Sequence, residues 1–213
     1  MKTRSKALLL TLCAVLLVAA TIFGTMAYLT STDTVTNTFT VGKVNIKLDE
    51  AKANLDGSLV ADADRVKANE YKLLPGHTYN KDPMVTVLSG SESSYVKMTV
   101  TFSKANELDA IFAPDGANLT RIFNGYDASN WIAKGNTKDA TANTRTYEFW
   151  YKEAVAAPDG DVALDALFDS ITVPGTITGA QLETIKDMTI TVNAYAIQAD
   201  GFADAAAAWA AFH

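Results

Sequence analysis

As a string of apolar and polar positions, the chain changes character near residue 24. Residues 7–23 form an almost unbroken apolar run behind Lys2, Arg4 and Lys6. From Thr34 the pattern takes a period of two. Thr34, Thr36, Thr38 and Thr40 share one parity, and Val35, Asn37, Phe39 and Val41 share the other. That alternation predicts a strand with one apolar side. Gly42 interrupts it, and beyond it Val44, Ile46 and Leu48 alternate with Lys43, Asn45 and Lys47. The apolar parity has flipped, so a bulge or sharp bend is expected at the glycine.

Further along, the polar residues 49–70 predict a loop or a weak helix. In "LLPGHTY" (73–79), Pro75 presets φ and Gly76 accepts a positive one, which predicts a turn. Strands are expected over 84–90, 95–102, 145–155, 169–174 and 188–199. The clearest places Val96, Met98, Val100 and Phe102 on one side, and the last places Met188, Ile190, Val192, Ala194 and Ala196 together. Short helices are expected over 161–168 and 178–186, the second opened by Thr178 as N-cap with Gln181 three residues on. Phe202, Ala206, Trp209 and Phe212 recur at helical spacing near the C-terminus, which predicts an amphipathic helix capping the fold. Residues 104–144 mix helix-like and loop-like stretches. At least six strands with short turns make the chain mainly β, a two-sheet β-sandwich with a few short helices.

Charge and cysteine usage narrow its setting. The basic start, the apolar run and the small residues Thr25 and Ala27 read as an export signal cut before Tyr28, with an uncleaved N-terminal anchor as the alternative. The expected organisation is therefore 1–27 as cleaved signal, 28–41 as an N-terminal strand, and 42–213 as one domain. The one cysteine, Cys13, falls inside the signal, so the secreted part carries neither disulfides nor zinc–thiolate sites. Three of the 18 basic residues and none of the 24 acidic ones lie within residues 1–27. The exported part is thus strongly acidic, which argues against nucleic acid or anionic membrane as partners.

Candidate chemistry is sparse. His77 lies in the turn and His213 at the end, with no His pair at helical spacing and no nucleophile elbow. Asp159, Asp161 and Asp165 resemble only the opening of a calcium loop, and Asp62 and Asp64 form a weaker pair still. Tyr147, Phe149, Trp150 and Tyr151 could present an aromatic face to carbohydrate, but their alternation fits a core strand better. No catalytic residue, cofactor or metal is expected.

Against that background "GTMAYLTSTDTVTNTFTVGKVNIKL" resembles the start of the TasA/camelysin family of exported proteins, with their SipW-dependent type of signal. The matching positions are Gly24, Thr25, Ala27, Tyr28, Asn37, Phe39 and Gly42. Leu74-Pro75-Gly76 ahead of a strand, and the ending "AIQADGFADAAAAWAAF", are similar as well. The resemblance implies a jelly-roll sandwich whose subunits join head-to-tail into fibres of a biofilm matrix. The N-terminal strand of one subunit would complete the sheet of the next. Tyr28, Leu29, Val35, Asn37, Phe39 and Val41 would then be the self-assembly residues, and the partner would be a second copy, with other matrix or anchoring proteins besides. The alternatives are a monomeric surface adhesion module or minor fibre-anchoring protein. The metalloprotease activity of the camelysin branch would need a ligand set that these residues do not supply.

Overall fold

The computed structural model describes residues 6, 10–17, 42–112 and 123–212. The chain divides into two units, Met1–Val41 and Gly42–His213. In the first, residues 10–17 are helical (α1). Among the described residues, no helix is long and apolar enough to cross a membrane. Cleavage at Tyr28 and the strand 28–41 fall outside the described residues.

The second unit is mainly β. Its strands are β1 (Ile46–Asp49), β2 (Thr78–Asn80), β3 (Met84–Val87), β4 (Ser91–Ser103), β5 (Trp131–Asp139), β6 (Thr144–Tyr151), β7 (Val155–Ala157), β8 (Val162–Ala163), β9 (Ser170–Thr172) and β10 (Ile190–Gln198). Its helices are α2 (Ala105–Phe112), α3 (Gly179–Thr184) and α4 (Ala205–Ala210). All pairings between these strands are antiparallel. They form a sheet ordered β10-β4-β6-β5 with β7 also on β4, a second ordered β1-β3-β8, and the pair β2-β9. A third, two-stranded sheet thus joins the two expected.

Alternation decides which sides face inward. On β4, Val96, Met98 and Val100 are fully buried and Phe102 nearly so. Tyr147 and Phe149 of β6 join them, as do Val85 and Val87 from the other sheet, so the two larger sheets share one core. Ile190, Val192, Ala194 and Ala196 of β10 pack on it from the edge. Phe123 sits at its centre, with ring centroids 4.5 Å from Phe168 and 5.6 Å from Tyr147. Burying each such side chain stabilises the fold by about 1.5–3 kcal/mol.

Several expectations need correction. Residues 161–168 are not helical: Val162 and Ala163 pair with Val87 and Thr86 of β3. The Leu164 and Leu167 N–H groups donate to the carbonyls of Val85 and Pro83. The apolar residues at helical spacing are buried by sheet contacts instead, and β3 takes the amides that a helix would need. Residues 49–70 form a loop held by the bridges Glu50↔Val66 and Ala53↔Leu59. The bend expected at Gly42 joins a strand that lies outside the described residues; a Cβ on Gly42 would sit 2.8 Å from Cγ of the exposed Glu92 side chain. Gly76 does take a positive φ, +76°, in the expected turn. Helix α3 carries the expected capping box between Thr178 and Gln181. The expected C-terminal helix, N-capped by Asp204, covers the outward face of the larger sheet. There Trp209 lies under Lys97 Nζ at 4.5 Å, and Phe212 meets Tyr195.

Candidate functional site

The residues expected to direct cleavage and assembly, Thr25, Ala27, Tyr28, Leu29, Val35, Asn37, Phe39 and Val41, all lie outside the described residues. The remaining candidates are dispersed. His77 is exposed in its turn. Asp161 accepts the Ser89 N–H, while Asp165 and Asp127 both accept from the Asn130 amide. Among the described residues, no group of three or more His, Cys, Asp or Glu could hold a metal ion. The aromatic strand splits by parity: Tyr147 and Phe149 enter the core, and Trp150 turns outward beneath Lys134 Nζ, 4.1 Å from its ring centre.

What pattern reading did not find is a cleft of about 380 Å³ between the two larger sheets. Leu48 of β1 and Ile190 and Val192 of β10 form apolar wall, and Asp49, Glu50, Lys67, Asn69 and Lys81 bring polar groups. Both flanking strands are sheet edges: among the described residues β1 pairs only with β3, and β10 only with β4.

The two edges differ. Ser103 N–H bonds to Thr189 C=O, and Ala199 N–H to Ser93 C=O. Odd-numbered residues of β10 therefore turn their backbone groups toward β4. Ile190, Val192, Ala194 and Ala196 turn theirs to the open side, where no described residue bonds to them. On β1 the outward groups are Ile46, Leu48 and, just beyond, Glu50. Glu50 exchanges backbone hydrogen bonds with Val66, and the Lys67 ammonium donates to the Leu48 carbonyl. The β1 edge is thus partly covered and the β10 edge is the freer one.

A polar network holds the covering loop. Arg65 Nε donates to Asp49 Oδ1 at 2.6 Å, Nη1 to Asp82 Oδ2 at 2.8 Å, and Nη2 to both backbone carbonyls of those residues. Asp49 is 4% exposed. Burial raises its carboxyl, but Lys47 and Arg65 more than reverse this and hold it below the usual carboxylate value. Its Oδ2 lies 2.7 Å from Lys47 Nζ as an ion pair without hydrogen-bond alignment. Beside it, Lys81 Nζ donates to Glu50 Oε2 at 2.5 Å, and Asn69 Nδ2 donates to Glu50 Oε1 at 2.9 Å. No sequence signal marked this group, because its members lie 19 and 31 residues from Glu50.

Comparison with known proteins gives no match to any family model, curated protein or solved structure.

Proposed function

We propose that this chain is a secreted structural protein, the subunit of an extracellular fibre. Residues 28–41 of one copy add as a strand to the β10 edge of the next, completing a jelly-roll β-sandwich. The observation that carries the reading is the open edge beside an apolar-walled cleft. Backbone groups of Ile190, Val192, Ala194 and Ala196 have no described partner there, while Leu48, Ile190 and Val192 offer apolar surface. An added strand gains main-chain bonds from such an edge and specificity from alternate side chains seated in pockets. Val35, Phe39 and Val41 have that alternation. Head-to-tail addition does not close on itself and so gives a filament. The reading contains no catalytic step, cofactor or metal, and its partner is another copy of the chain.

Negative-stain microscopy of the exported protein tests it, alongside Phe39→Asp. Filaments are expected from the parent protein. They should be strongly weakened in the variant, because a charge would be placed in an apolar groove. Normal filaments from Phe39→Asp, or a strictly monomeric parent protein, would overturn the proposal. A parent that stays monomeric yet adheres to cells would favour the adhesion module.

A further inference from the structure

We propose that Lys81 and Asn69 are joined by a self-catalysed isopeptide bond, with Glu50 as the proton carrier. This is a second property of the chain, independent of whether it polymerises. The two side chains that must react are held on the two oxygens of a single carboxylate: Lys81 Nζ on Oε2 at 2.5 Å and Asn69 Nδ2 on Oε1 at 2.9 Å. The side chains of Lys81 and Glu50 are 9% and 6% exposed. A buried ion pair of this kind is a weak source of stability on its own, which leaves its presence to be explained.

Each requirement of acyl transfer has a residue. Lys81 is the nucleophile, Asn69 Cγ the electrophile, and Glu50 touches both nitrogens that exchange protons. Asn69 Oδ1 accepts the backbone N–H of Ala53 at 2.8 Å, a donor placed where negative charge develops as the carbonyl is attacked. Asn69 Nδ2 also donates to the Ala51 carbonyl at 2.8 Å, so both ends of the carboxamide are held. Tyr71 closes one side, its hydroxyl donating to the Asn80 carbonyl. Burial, and then the nearby Glu50 charge, push that hydroxyl well above its ordinary range and keep it neutral. The cleft contacts Glu50, Asn69 and Lys81 and gives the leaving group a way out.

The step balances without any further reagent. Glu50 Oε2 takes a proton from the Lys81 ammonium, and the freed lone pair attacks Asn69 Cγ. Glu50 passes that proton to Asn69 Nδ2, takes a second one from the attacking nitrogen, and hands this one too to the departing nitrogen as the tetrahedral intermediate collapses with cleavage of the Cγ–Nδ2 bond. An alkylammonium and a carboxamide become a secondary amide and ammonium, and Glu50 ends as the carboxylate it began as. Nothing is oxidised or reduced.

Mass spectrometry of the folded full chain decides the matter. The protein should weigh one ammonia less than its sequence requires. Trypsin should leave Lys81 uncut and release residues 68–72 branched onto residues 73–97, with fragmentation placing the branch at Asn69 and Lys81. Glu50→Gln should restore the full mass and cleavage at Lys81. If that variant does not fold, the map of the parent chain still decides. A folded parent cut at Lys81 without a branched peptide overturns the proposal, as does Asn69 recovered as aspartate with Lys81 free.

Discussion

Arg65 shows how much can rest on one side chain. It ties the 50–72 loop to one end of the β1–β3 pair, through Asp49 at the end of β1 and Asp82 just before β3. Arg65→Ala would strand Asp49, which is buried, with only the misaligned Lys47 as counter-ion. Removing one partner of a buried pair costs about 3–5 kcal/mol, and with Lys47 remaining the lower end is expected. Urea denaturation at neutral pH measures it. The pH dependence has a definite sign. Asp49 has a folded value depressed below its ordinary 3.8, so its pairing contributes in full above that value. The contribution is lost as pH falls through the lower folded value. The stability gap between parent and Arg65→Ala should therefore narrow below about pH 4. A gap that stays constant to pH 2 would mean that Arg65 acts by packing alone.

Among elements, α4 offers a separable test. Trp209 is nearly buried on the outward face of the larger sheet, near Trp150 at 6.3 Å between ring centres and under Lys97. Its indole Nε1 has no hydrogen-bond partner among the described residues. Packing, not the polar handle, holds it. Trp209→Ala should cost about 3 kcal/mol, and Trp209→Phe should recover most of that, as thermal denaturation of the two variants would show. Equal losses would mean that the N–H matters after all.

The same scale shows what was legible. Strands β4, β6 and β10 could be read because one face meets the core and the other meets water or a covering helix, so burial prints a period of two. Helix α3 announced itself through Thr178 and Gln181 because its caps are local. Strand β5 could not be read: it is an edge with only Trp131 buried, broken by a register shift between Ala133 and Gly135. Lysines and a bulge protect such an edge and also erase its pattern. Residues 161–168 misled because spacing reports which residues are buried, not which strand takes their amides. The helix α2 start is capped from a distance, by Asn143 in the β5–β6 turn, whose side chain accepts the Asn106 N–H. The cleft was illegible for a related reason: Glu50, Asn69 and Lys81 are neighbours only after the loop folds back.

At the scale of the whole molecule, the fibre reading turns on which edge receives the incoming strand, and the ladder register supplies a specific test. On β10 the N–H groups of even-numbered residues face away from β4. Proline at one of these positions removes an outward donor and leaves the β4 ladder its bonds, which is where sheets tolerate it. Ala194 suits this best. It lies mid-strand opposite Met98, and its small side chain only partly faces the core. Ala194→Pro should secrete and fold, with a modest stability loss of about 1 kcal/mol from fixing φ away from the strand value. Asn193→Pro should instead break a β4 bond, leaving its carbonyl partner unsatisfied at a cost of about 1–3 kcal/mol on top of the fixed φ, serving as the folding control. Denaturation curves rank the two variants, and electron microscopy then reads assembly at matched concentration. Ala194→Pro should be folded and filament-free, because the missing N–H and the added ring both oppose a strand arriving at that edge. Adding a synthetic peptide of residues 28–41 to the parent protein should cap the same edge and shorten filaments in proportion to dose. A folded Ala194→Pro protein that polymerises normally would show that the strand is received elsewhere, with the partly covered β1 edge next in line.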